Sequence, residues 1–386
     1  MRILIPGGGI AGLTLAYWLH HYGHEPVVVE RAPRGRYGGY GIDFFGTGYD
    51  IAARMGLTDR LAARQLPTED IRTVDTRGRP HARLERRVLE KVIGGPYLAL
   101  MHARLEEALA DAVRNRVEVR HEQRVTTVRQ RPDGVDVAFA DGTEDSFDLL
   151  IGADGVHSAT RELVFGPEPG FARHLGYTMA CYPVADTYDL GPRRVHYSEP
   201  GRQTVLYPTD TPGELIALFL YRTQRFVPPR AERPAALRAA FDGMGWITPR
   251  LLAAAPADDL FMDSLTQIRM PSWHRGRVAL IGDAAAAMTL TSAQGASMAM
   301  AGGYLLAEAL HRHSEHVAAF HAYEARLRAA VDQRQDRARA IARSLVPATR
   351  TGIAVQTLVS SVVMRDAFVG LLRRGYGDTT SVLAET

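Results

Sequence analysis

Gly7, Gly9 and Gly12 stand in the spacing GxGxxG within "RILIPGGGIAGLTLAYWLHHYGHEPVVVERA". Each glycine has a physical task in holding a dinucleotide. Gly7 permits a tight turn, Gly9 lets the backbone approach a pyrophosphate, and Gly12 lets a helix pack on the preceding strand. Ile10, Ala11 and Gly12 open that helix, where free N–H groups favour phosphate. Glu30 lies eighteen residues beyond Gly12, at the distance where a carboxylate bonds a ribose hydroxyl, and Arg31 follows it. The motif alone does not separate NAD from FAD. Two further carboxylates follow apolar runs: Asp154 in "GADGVHSATR" and Asp283 in "GDAAAAMTLTSAQGAS".

The elements that must carry these residues are legible in outline. Ile3 to Ile5 predict a buried strand, and Leu13, Ala16 and Leu19 predict a helix with an apolar face. Val27 to Val29 predict the second strand of a βαβ unit. Phe147 to Ile151 read as a strand ahead of Asp154, with Ser158 and Arg161 on the helix that follows. Val278 to Ile281 repeat the arrangement ahead of Gly282 and Asp283. A helix opens near Gly295 and Ala296, with Ala299, Gly303, Leu306 and Leu310 as its buried stripe. Between these pieces, "HLGYTMACYPV", "RRVHYSE", "QTVLYPT" and "ELIALFLYR" are short β-rich runs separated by turn residues. Their pocket candidates are Met179, His196, Tyr207 and Phe219, with the register of each strand left open.

With three motifs in this order, the chain resembles the class A flavoprotein monooxygenases, the family of para-hydroxybenzoate hydroxylase. In layout it is most similar to the tetracycline-inactivating members. The resemblance spans residues 1 to about 345 and implies an α/β fold. That fold is a Rossmann-like (GR2-type) FAD-binding domain with an inserted β-sheet substrate domain and a C-terminal helix. The implied FAD domain comprises residues 1–70, 100–170 and 272–345, and the substrate domain comprises 71–99 and 171–271. Residues 346–386 are expected to hold a docked helix, with Val355, Leu358, Val359, Val362 and Val363 at near-helical spacing.

Carried over to this sequence, the resemblance implies that Glu30 holds the adenosine ribose of FAD and Asp283 its ribitol. Asp154 supports the pyrophosphate region, Asp43 contacts the flavin, and Arg36 contacts the transient reductant, NADPH or NADH. The implied reaction is oxygen transfer from a flavin hydroperoxide to a bulky aromatic or polycyclic small molecule. No protein nucleophile is required. The helix opening at Gly295 would face the flavin ring with its positive dipole end. The chain departs from the family pattern "GDAAHxxxPxxGxG": Ala286, Leu290 and Ala293 replace its histidine, proline and first glycine. His102 replaces the arginine of the "RxxL" signature ahead of Leu105. The altered loop also fits a FAD-binding cyclase whose flavin is not redox-cycled, and a non-catalytic FAD-binding protein.

Composition narrows the partners. The 386 residues carry a net charge of +3, almost all of the positive charge on arginine, with Lys91 the only lysine. No run of like charge points to nucleic acid or to a stable membrane association. Cys181 is the single cysteine, so a disulfide framework is excluded and a reducing cytoplasm is expected. His311, His313, His316 and His321 lack the spacing of a metal site, and no metal is expected. The expected assembly is a monomer or homodimer.

Overall fold

Ile3, Leu4 and Ile5 are fully buried because their strand is sandwiched on both faces, which is what an unbroken apolar triplet favours. The computed structural model describes residues 1–35, 39–224, 227–258, 260–289, 293–363, 369–370 and 381–383. Arg36 and Leu290 lie outside the described residues, as do the side chains of Val362 and Val363. Numbered in chain order, the helices are α1 (Ile10–His21), α2 (Thr47–Arg54), α3 (Thr58–Ala62), α4 (Arg86–Ile93), α5 (His102–Val113) and α6 (Ala159–Phe165). They continue as α7 (Arg233–Ala240), α8 (Thr248–Ala253), α9 (Asp283–Ala286), α10 (Gly295–Arg312), α11 (His316–Ala342) and α12 (Arg350–Val363).

The first sheet joins β1 (Arg2–Pro6), β2 (Glu25–Glu30), β7 (Glu118–His121), β11 (Leu149–Gly152), β17 (His274–Arg275) and β18 (Val278–Leu280). Its spatial order is β17-β18-β11-β1-β2-β7, parallel except for β17. The apolar run at 147–151 is not one strand. Asp148 breaks it, its carboxylate accepting from the Arg2 N–H at 2.6 Å. Phe147 ends β10 (Glu144–Phe147), which pairs with β9 (Val135–Phe139) and through it with β8 (Val125–Gln130). Helix α10 departs from the single stripe expected of it: Met298, Met300, Ala301, Leu305 and Ala307 are buried as well as Gly303, Leu306 and Leu310. It runs through the middle of the core between α1 and α11, so it has no solvent face to keep polar along most of its length.

The second sheet has the order β16-β12-β15-β14-β13-β4-β5. It comprises β4 (Asp70–Val74), β5 (Pro80–Glu85), β12 (Ala172–Ala185), β13 (Arg193–Glu199), β14 (Arg202–Pro208), β15 (Glu214–Arg222) and β16 (Phe261–Ile268). A short antiparallel pair, β3 (Gly41–Phe45) with β6 (Tyr97–Met101), is tied to this sheet where the Gly41 N–H donates to the Tyr207 hydroxyl at 2.9 Å. Alternation along the large sheet separates two faces. Ala180, Tyr182, Val195, Tyr197, Leu206, Ala217 and Phe219 pack outward with Leu237, Phe241 and Leu251 of α7, the residue after it, and α8. Met179, Val205, Tyr207, Leu218 and Leu220 occupy the opposite face.

Helix α12 contacts β5 and β13, and of the apolar stripe expected to dock it Val355, Leu358 and Val359 have described side chains. Val355, Leu358 and Val359 are 56%, 68% and 52% exposed. Two polar contacts are described: Thr357 lies 3.4 Å from His81, and Gln356 donates to the Ser344 carbonyl at 3.4 Å. Helical spacing identified an apolar face without specifying what covers it. Among the described residues no helix is long and apolar enough to cross a membrane.

Candidate active site

The carboxyl ends of β1, β11 and β18 meet at one edge of the first sheet, the side on which open α/β sheets bind ligands. The Ala153 N–H donates to the Pro6 carbonyl at 2.7 Å, and the Ile281 N–H donates to the Gly152 carbonyl at 2.9 Å. This brings the three motifs into contact. A Cβ on Gly7, which has φ +108°, would sit 2.3 Å from the Ala153 carbonyl oxygen. One on Gly12 would lie 1.9 Å from the Gly7 oxygen, and one on Gly282 would lie 2.8 Å from the Ala11 side chain. Only glycine allows these approaches.

Gly9 caps α1 without a side chain, and the first intrahelical bond runs from Leu13 N–H to the Gly9 carbonyl. The N–H groups of Ile10, Ala11 and Gly12 therefore lack intrahelical acceptors and form an anion-binding end. Glu30 accepts from the Gly8 N–H and from the Ala32 N–H, each at 2.8 Å. It thus fixes the glycine turn while keeping lone pairs for a ribose hydroxyl. Arg31 is exposed beside it. A cradle that side chains would fill, a phosphate-binding helix end and a ribose-binding acid together fit FAD.

Asp154 acts on the protein itself. One oxygen accepts from the Ser158 hydroxyl and the other from the Thr160 N–H at 2.8 Å, capping α6. Arg161, fully buried, then donates to the Ala284 carbonyl at 3.1 Å and pairs with Glu168 at 2.7 Å. The second motif is thus a buttress under the third.

Asp283 follows Gly282 at the wall of a cavity of about 320 Å³. Burial pushes its carboxyl up to about 6, against the opposing pull of His102. His102 opens α5, 3.5 Å from Glu106. Burial is the largest single influence and opposes its charging, but the bond to Glu106 together with the charges of Glu106 and Asp283 outweighs it and holds its pKa above the usual histidine value. Gly295 and Ala296 line the same cavity at the start of α10, and a Cβ on Gly295 would meet nothing within 4 Å. Asp43 lines it too, accepting from the Tyr97 hydroxyl at 2.7 Å with Arg194 at 3.9 Å.

The loop before α10 is held from behind by α11. Gln335, 1% exposed, donates from Nε2 to the carbonyls of Ala287 and Ile268, both at 2.9 Å. The buried Arg334 donates to the Gln294 side-chain oxygen at 2.6 Å. Ala293 lies at φ +52°, a left-handed conformation that favours glycine.

Opposite this loop, the inner face of the second sheet closes the cavity. Met179, His196 and Tyr207 line it. Phe219 does not. It is fully buried on the outer face, 5.5 Å from the Tyr182 ring and 5.0 Å from that of Phe241. Its neighbours Leu218 and Leu220 face the cavity instead, a shift of one residue that reverses the face. Arg194 and Gln203 were not anticipated. Arg194 follows from His196 by strand alternation, two residues away on the same face.

The family model described as "FAD binding domain" matches residues 1–344. The chain belongs to the FAD binding domain family. A family relative, a flavin-dependent monooxygenase from an unknown prokaryotic organism, is 31% identical over 345 residues, covering 86% of this chain and 87% of its own. The crystal structure of the tetracycline destructase Tet(51) superimposes with a TM-score of 0.83 at 28% identity, covering 96% of this chain and 97% of that one. Klebsiella pneumoniae HpxO, solved with FAD and uric acid, gives 0.80 at 25% identity, covering 97% and 96%. Within the FAD binding domain family, this chain is a flavin-dependent monooxygenase.

Proposed function

We propose that the protein oxygenates a bulky aromatic or polycyclic small molecule, with NADPH or NADH reducing its FAD. The observation that carries this reading is a cavity bounded on one side by Asp283, Gly295 and Ala296 and on the other by the second sheet. FAD, when bound and reduced, supplies the oxygen-activating chemistry. The residues of the chain bind, orient and shield. The α1 N-terminus takes the pyrophosphate, Glu30 the adenosine ribose, and Asp283 a ribitol hydroxyl. The N-terminus of α10 places positive dipole where negative charge develops on reduction. Met179, Val205, Leu218 and Leu220 give the substrate an apolar wall that keeps water from the reacting atoms. We assign residues 71–99 and 171–271 to substrate binding and the rest of 1–345 to FAD. The cytoplasm is the proposed compartment, on the strength of the one unpaired, buried cysteine.

The test is anaerobic mixing of the yellow holoenzyme with NADPH or NADH, followed by turnover in ¹⁸O₂. Flavin bleaching and one labelled oxygen in the product are expected. Substrate conversion without reductant or oxygen would instead establish the redox-independent cyclase.

A further inference from the structure

A carboxylate stands where the fold is set to receive a pyrophosphate. A Cβ on Gly9 would lie 3.5 Å from Glu106 Oε1, so Glu106, on α5, faces the glycine turn that opens α1. Asp283 presents a second carboxyl from the cavity wall. Both repel an anionic ligand, and neither can hold one without a nearby cation. Among the described cavity-lining residues, Arg194 lies with Asp43 at 3.9 Å. His196 is pushed down to about 3 by burial and by Arg194, so it stays neutral. That leaves His102.

His102 faces both carboxylates. Its Nδ1 is 3.5 Å from Glu106 Oε2, and its side chain lines the cavity with Asp283. Its backbone N–H donates to the Tyr40 carbonyl at 3.0 Å, which fixes the start of α5. The Tyr40 ring, 6.3 Å away, adds no charge, because burial raises its hydroxyl pKa. A charged imidazole donates from both nitrogens, so one N–H serves Glu106 and the other is left for a ligand. Burial is the largest influence against that charge, yet Glu106 and Asp283 together hold His102 above the usual histidine value. Loss of the proton would leave Glu106 facing the pyrophosphate uncompensated. Charge on His102 therefore favours FAD, and by linkage bound FAD favours charge on His102.

We propose that His102 is a proton-taking ligand of FAD, holding the anionic cofactor only when charged, so that FAD affinity falls as the solution turns alkaline. This rests on the FAD site in the reading above.

The test is fluorescence titration of the full-length, flavin-free chain with FAD from about pH 7 to about pH 9, with no reductant or substrate. Wild-type affinity is expected to fall by about tenfold or more across that range, the equivalent of one unit of displacement in a linked pKa. Calorimetric titration at about pH 8, in two buffers of different ionisation enthalpy, is expected to show net proton uptake. His102→Arg, charged throughout, binds with a flat profile and no proton uptake. His102→Gln, neutral throughout, binds across this range about as weakly as wild type does at its alkaline end. In the glutamine variant the weakening on the acid side, set by the Asp283 carboxyl at about 6, moves to higher pH because the imidazolium no longer pulls that carboxyl down. A merely structural role for His102 would not move that limb. A flat wild-type profile without proton uptake, or an alkaline slope that survives in either variant, overturns the proposal. The wild-type arms decide it even where a variant fails to fold. A chain that binds no FAD at any pH overturns the cofactor site and the proposal with it, whereas FAD bound with a flat profile counts against His102 alone.

Discussion

Replacing Gln335 by Met tests what holds the loop between Asp283 and α10. Methionine matches glutamine in length but donates nothing, so the carbonyls of Ala287 and Ile268 lose their 2.9 Å bonds inside a side-chain environment that is 1% exposed. A buried acceptor left without its donor costs about 1–3 kcal/mol, so the two together cost about 2–6 kcal/mol. That is a large fraction of a typical stability of about 5–15 kcal/mol. The assay is urea unfolding followed by tryptophan fluorescence, with and without added FAD. The apo comparison reads the brace itself, with a midpoint lowered by about 1 M. An additional loss seen only with FAD reads weakened cofactor binding, because a ligand stabilises in proportion to its affinity for the native state. A change below about 0.5 kcal/mol, the level of an inconsequential surface substitution, with flavin retained as in wild type, would refute the brace.

Asp283→Asn should weaken FAD binding by about 10- to 100-fold, the worth of a hydrogen bond to a charged acceptor, measured by flavin fluorescence titration. With the wild-type carboxyl at about 6, its binding of FAD weakens as pH falls through that value, while the asparagine variant loses this dependence. The apoprotein has the opposite sign. A raised native pKa contributes stability that is full below the ordinary aspartate value and lost as pH rises through about 6, which pH-dependent apo unfolding will show. Ala293→Gly should raise stability by about 1 kcal/mol, since glycine adopts the observed φ of +52° without the Cβ penalty; a lower melting temperature would contradict it. Gly12→Ala should abolish flavin retention on purification, because its Cβ would lie 1.9 Å from the Gly7 carbonyl oxygen.

What was legible in the sequence was local. The GxGxxG turn, Glu30 and the strands ending at Gly152 and near Gly282 follow from spacing and apolar runs, because each motif carries its own geometry within a few residues. Asp148 shows the limit: a polar residue inside an apolar run was absorbed into one strand, whereas the chain uses it to change sheets. Phe219 shows another. Period-two alternation was visible in "ELIALFLYR", but its phase is set by which face meets α7 and α8, and that information lies in other segments. The polar group on the cavity wall was half visible for the same reason: His196 was found and Arg194, on the same face, was not.

The loop itself required the tertiary structure. By sequence, "GDAAAAMTLTSAQGAS" loses the histidine, the proline and the glycine that the family places beside the flavin. A proline stiffens a loop by restricting its own backbone, so its absence suggests a looser segment when only local chemistry is considered. The fold supplies restraint from outside the segment. Gln335 holds the carbonyl of Ala287, Arg334 holds the side chain of Gln294, and the Ser297 hydroxyl donates to the Phe45 carbonyl at 2.9 Å. These anchors hold Ala287, Gln294 and Ser297 through residues that no motif includes. The substitutions therefore do not by themselves argue for an unused flavin. The described residues on either side are held by α11 and β3, and that is why the decisive substitution is at Gln335 rather than at any of the alanines.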